Sequence, residues 1–122
     1  MCSTVINSLA LLLENFTNYF MNNYVERVQK LMEHLPRDNK ETSITAFNTV
    51  LEGYRKILDE LSDLSENYIE LLWSNYSKLR TIESTMSALY QLKTQKQKDS
   101  VFQEARREIN NDLETLLSIV RR

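Results

Sequence analysis

The sequence predicts an all-α helical bundle, and three observations carry that expectation. The 122-residue chain contains one glycine, Gly53, and one proline, Pro36. All-β folds need turn residues at every hairpin, which this composition does not supply. Apolar residues recur at steps of three and four along nearly the whole length, the spacing of a helix face. A hydrophobic content of 42% is enough to build a core. Residues 1–122 are expected to form a single helical domain.

The first helix is expected over about 4–35. Its stripe runs through Val5, Leu9, Leu12, Phe16, Phe20, Tyr24, Val28, Leu31 and Leu35. From Phe16 onward the steps are mostly four, which suits globular packing better than a long left-handed coiled coil. Leu13, Met21, Val25 and Met32 widen the stripe, so this helix is expected to touch neighbours on two sides. Pro36 ends it, because proline disfavours α geometry in the residue before it. Asp38 and Glu41 have the spacing of a capping box that opens the next helix.

That second helix is read as one long element over about 43–95. Phe47, Leu51, Tyr54, Leu58, Leu61, Ser65, Tyr68, Leu72, Asn75, Leu79, Ile82, Met86 and Leu89 follow 4-3 steps without a slip. A turn normally resets such a register, and no glycine or proline is present to make one. The alternative is a compact four-helix up-down bundle broken near 62–66, where Asp63 and Glu66 again have capping-box spacing. Past Leu89 the old register turns polar, and a new stripe runs through Phe102, Ala105, Ile109, Leu113, Leu116 and Val120. A C-terminal helix is therefore expected over about 100–121, capped by Asp99 or Ser100 after a polar turn from Lys93. A helix over 43–95 would be about 80 Å long, and the flanking helices, at about 48 Å and 33 Å, would together just cover it.

Catalytic residues are scarce. The one histidine, His34, sits near the end of the first helix, where the helix dipole accounts for a cation. No glycine-rich loop exists to cradle phosphate. The ligand set for a zinc site is lacking, and no Glu-x-x-His pair for a di-iron site occurs. Asp59, Asp63 and Glu66 lack the turn and glycine of a calcium loop. The expectation is therefore no enzyme, no cofactor and no metal.

Net charge at pH 7 is −2, which gives no general attraction to nucleic acid. The run Leu9–Leu13 is too short to span a bilayer, and no basic residue precedes Arg27 to make a signal peptide. Cys2, the only cysteine, forms no intramolecular disulfide and reads as an ordinary terminal thiol. These features predict an intracellular protein, cytoplasmic or nuclear and not secreted.

A partner-binding surface is expected where the long stripe narrows to two positions per heptad. Leu72, Trp73, Asn75, Tyr76, Leu79, Ile82, Met86 and Leu89 are the candidate interface, with Trp73 and Tyr76 as aromatic flanks and Asn75 as a register-fixing amide. Acids between Asp59 and Glu70 and bases between Lys78 and Lys98 lie on either side of Asn75. An antiparallel homodimer through this seam would set acid against base. The functional expectation is a non-catalytic protein–protein interaction module, a helical scaffold or adaptor or a subunit of a larger assembly. The alternative is a compact monomeric four-helix inhibitor or effector that occupies a target protein.

Overall fold

Helix α1, Cys2–Glu33, stops three residues before Pro36, as the restriction on residues before proline requires. The computed structural model describes residues 2–121 apart from the side chain of Cys2, so the reading of that thiol lies outside it. After the connection come α2, Glu41–Leu64, the short α3, Glu66–Leu71, and α4, Trp73–Ala88. A 3-10 turn over Leu89–Gln91 then leads to α5, Gln95–Val120. Among the described residues there is no strand.

The continuous helix over 43–95 is not what forms. The chain breaks at Ser65, whose backbone is extended (φ −162°, ψ 140°), and turns again at Leu72 (φ −94°, ψ 1°). The broken alternative is the one adopted, with the cap moved from Asp63 to Ser65. The Ser65 hydroxyl accepts from the backbone N–H of Asn67, satisfying one of the free donors at the start of α3. At the second corner the Leu72 N–H donates to the Tyr68 carbonyl at 2.8 Å.

Reversal lets α4 run back along α2. Leu72, Leu79, Ile82, Met86 and Leu89 all become buried. Each such side chain contributes about 1.5–3 kcal/mol of transfer free energy. The few helical hydrogen bonds given up at the corners are worth about 0.5–1.5 kcal/mol each. Burial wins, and it does so without any change of register.

Four helices form the bundle, with α1 packed on α2 and α5, and α4 on the same two. Consecutive members run up, down, up and down around one core. Phe47 of α2 meets Phe102 of α5 near the end of the core where both helices begin, ring centroids 5.3 Å apart. Ion pairs Arg27–Glu60 and Arg55–Glu83 tie α1 and α4 to α2 from outside. Gly53 allows α1 to approach α2 closely, since a Cβ there would lie 2.8 Å from Leu31 Cδ2. Gly53→Leu is expected to lower stability by about 1–3 kcal/mol through overpacking. Gly53→Ala, whose better helix propensity offsets a small shift of Leu31, is expected to stay within about 1 kcal/mol of the parent. Thermal melts of the pair check both.

Two caps differ from expectation. Helix α2 is preceded by Lys40 without a side-chain cap, and Asp38 instead accepts from the Ser43 hydroxyl. Helix α5 starts at Gln95, not near Ser100, because Thr94 and Gln97 form a complete capping box one turn earlier. Asp99 is then free to accept from Gln95 and Asn39. The Arg106 guanidinium and the Gln103 amide donate to the carbonyls of Pro36 and Arg37, holding the α1–α2 connection against α5.

Candidate functional site: the projecting half of the first helix

The narrow seam expected to meet a partner is occupied inside the chain. Leu72, Asn75, Leu79, Ile82, Met86 and Leu89 are buried between α2 and α5. Tyr76 is half-buried, its hydroxyl donating to Asp59 at 2.6 Å and sharing a hydrogen bond with Ser62. Only Trp73, 72% exposed, remains an open face. On a continuous helix residues 72–89 would lie far from residues 47–61, whereas the reversal at Ser65 and Leu72 folds them back on α2 itself. An antiparallel homodimer through these residues would require the bundle to open. Among the described residues the ion pairs are Arg27–Glu60, Arg55–Glu83 and Arg107–Glu104, so the bases from Lys78 to Lys98 do not take part.

Asn75 belongs to a buried polar cluster. Its side-chain amide donates to the Tyr54 hydroxyl at 2.9 Å, and to the carbonyl and Oδ1 of Asp112 at 3.3 and 3.4 Å. Tyr54 in turn donates to Asp112 Oδ2 at 2.5 Å. Direction follows from the carboxylate, which only accepts when ionised, so the donors line up from amide to phenol to carboxylate. Burial pushes the Asp112 carboxyl up to about 6, against the opposing pull of the Tyr54 hydrogen bond and the Lys78 charge. Burial and the neighbouring carboxylate also hold the Tyr54 hydroxyl well above its ordinary range. Asn75 and Asp112 are each 1% exposed. The cluster joins α2, α4 and α5 at the centre of the bundle, with all three side chains buried.

A different surface stands open. Residues 3–19 of α1 are exposed throughout, running about 25 Å beyond the packed part of the bundle. Val5, Ile6, Leu9, Leu11, Leu12, Leu13, Phe16 and Tyr19 are between 55% and 79% exposed. Between Cys2 and Val25 the only charged residue is Glu14. A monomer tolerates contiguous apolar patches of a few hundred Å², and eight large side chains on one helix exceed that. The arm continues the bundle helix through an aromatic ladder, with Phe16 stacked on Phe20 and Phe20 edge-on to Tyr24, which is buried.

The excess has a simple origin. Helix α1 has 32 residues, about 48 Å, while α2 has 24 and α5 has 26, about 36 and 39 Å. The neighbours are also displaced along it: Gln103 and Arg106, two turns into α5, meet Arg37 and Pro36 just past the C-terminal end of α1, so the packed part runs out well before its N-terminal end. At its base a groove of about 1030 Å³ opens between α1, α3 and the end of α5. Tyr19, Met21 and Val25 form one wall, Tyr68 and Leu71 a second, and Ile119 and Val120 a third. The width of the apolar stripe at Leu12–Leu13 was the sequence signal for this surface.

No group of three or more His, Cys, Asp or Glu residues among the described residues could hold a metal ion. No helix of the described residues is long and apolar enough to cross a membrane. Comparison of the chain with protein families, curated proteins and solved structures finds no match.

Proposed function

We propose that the protein is a non-catalytic interaction module, a helical scaffold or adaptor that docks on protein through the projecting half of α1. The observation that carries this reading is the uncovered, almost uncharged stripe on residues 3–19 of a helix anchored at its other end in a core. Apolar helices of this kind are taken up by complementary helices or apolar grooves, with anchors spaced at three and four residues. The placement of the titratable groups favours a non-catalytic role. His34 is exposed beyond the end of α1, and the buried carboxylate of Asp112 is enclosed by core side chains.

A photo-crosslinking residue at Phe16 in the full chain, activated in cells that produce it, tests the proposal. Covalent adducts with protein, lost when Leu9 and Leu12 are both changed to Glu, are expected. Adducts confined to lipid, or none above a control at exposed Asn48, would sink it. Because the arm adds nothing to the core, Leu9→Glu with Leu12→Glu is expected to leave the bundle's unfolding free energy within about 0.5 kcal/mol of the parent in dilute solution. Denaturant melts followed by circular dichroism check this.

A further inference from the structure

We infer that the partner of the projecting arm is a second copy of the same arm, paired antiparallel, with the two-fold axis between Leu9 and Leu12. The inference rests on the reading of α1 as a docking element and goes on to name what docks there.

Spacing is the first support. Val5, Leu9, Leu12, Phe16 and Tyr19 keep unbroken 4-3-4-3 steps, the repeat that two helices bury along a common seam. The flanks of the seam decide orientation. One flank is apolar, with Ile6, Leu13 and Phe20; the other is polar, with Ser8, Asn15 and Asn22. In a parallel pair each flank lies beside the opposite flank of its mate, setting Leu13 against Ser8 and Phe20 against Asn15. In an antiparallel pair like meets like, so Ile6 packs beside Leu13 and Ser8 beside Asn15. Flanking positions govern partner choice and orientation in helix pairs, and here they favour the antiparallel one.

Length selects the register. Setting Val5 opposite Phe16 and Leu9 opposite Leu12 overlaps the arms over residues 2–19 and so spans the whole exposed segment 3–19. It also carries the first turn of each arm to the mouth of the other copy's groove, where Tyr19, Tyr68 and Ile119 stand. The contact is isologous and therefore closes at two copies. It would bury on the order of 1,200 Å² in total, where specific interfaces begin. Charge does not oppose it, since Glu14, the one charged residue of the arm, lies off both the seam and its flanks.

Sedimentation velocity and disulfide trapping on the full chain test the inference. The parent protein is expected to pass with rising concentration from 14.4 kDa to twice that mass. Leu9→Glu with Leu12→Glu should weaken association by on the order of 100-fold or more while the bundle's melt is retained. In a Cys2→Ser background, Val5→Cys and Phe16→Cys chains should each stay uncrosslinked alone and form a mixed disulfide when combined. Disulfide bonding of either chain with itself would overturn the antiparallel register. A parent that stays monomeric at several hundred micromolar would overturn the second copy as partner. If Phe16 still crosslinks to another protein in cells, the docking role survives and only the identity of the partner falls. Arm-dependent binding of the monomer to neutral phosphatidylcholine vesicles, with no protein adduct, would overturn both.

Discussion

Asn75→Leu is expected to lower the melting temperature at neutral pH by about 10 °C, equivalent to about 2–4 kcal/mol. In an apolar seam between separate chains the same change would raise stability, since a buried amide there gives up stability for register. Its actual neighbours reverse the sign. Asn75 is 1% exposed and donates to both Tyr54 and Asp112, so a leucine removes the donor end of the chain that ends on a buried carboxylate. The Tyr54 oxygen loses its donor, and the Asp112 carbonyl and Oδ1 lose theirs. Taking one partner from a buried charge costs far more than the net worth of the bonds that were present. Thermal melts at pH 7 decide the matter, and a variant more stable than the parent would refute the structural role given to this cluster.

Asp112→Asn is expected to act in the opposite direction and to flatten the dependence of stability on pH. The Asp112 carboxyl is raised in the folded protein from the ordinary 3.8 to about 6, with burial as the main cause. A carboxyl raised by folding binds its proton more tightly in the native state. Its contribution is therefore fully present below about pH 4 and is lost as pH rises through about 6. The full loss corresponds to about 3 kcal/mol. Asparagine keeps an acceptor for the Tyr54 hydroxyl, and its amide can face Asn75 once that side chain turns its carbonyl inward. The variant should thus be more stable than the parent by about 2–3 kcal/mol at pH 7 and close to it at pH 4. Glu60, held below its ordinary range by the hydrogen bond from Arg27, contributes with the opposite sign, but its change is over by about pH 4.5. Denaturant titrations from pH 4.5 to 7.5 isolate the Asp112 effect, and a parent whose stability rises across that window would contradict it.

Tyr54, Asn75 and Asp112 also mark where sequence reading stops. Tyr54 and Asn75 fell on the expected stripe, so their burial was legible from spacing. Asp112 stands three residues after Ile109 and four before Leu116, so spacing alone places it on the inner face of α5, while its charge argues for solvent. An acid is accepted in the core only where donors from other elements converge on it, here from residues 37 and 58 positions away. Such convergence is a property of packing and has no local signature.

Local chemistry determined the helical class, the end of α1 before Pro36, and the stripes through Phe47–Leu61 and Phe102–Val120 that became core. These follow from side-chain spacing and from what proline does to its own neighbourhood. Capping residues near 62–66 allow a break between Leu61 and Leu72, and tertiary structure decided that it forms. A 4-3 stripe faces a common core equally well on one long helix or on two antiparallel ones, so the pattern carries no information about the reversal. The choice came from the apolar surface that α4 buries by returning along α2 and α5, which outweighs the backbone bonds lost at Ser65 and Leu72. The same closure buried Leu72, Asn75, Leu79, Ile82, Met86 and Leu89 inside the chain and left Trp73 exposed. It also left α1 longer than the helices beside it, with the apolar half that has no cover of its own.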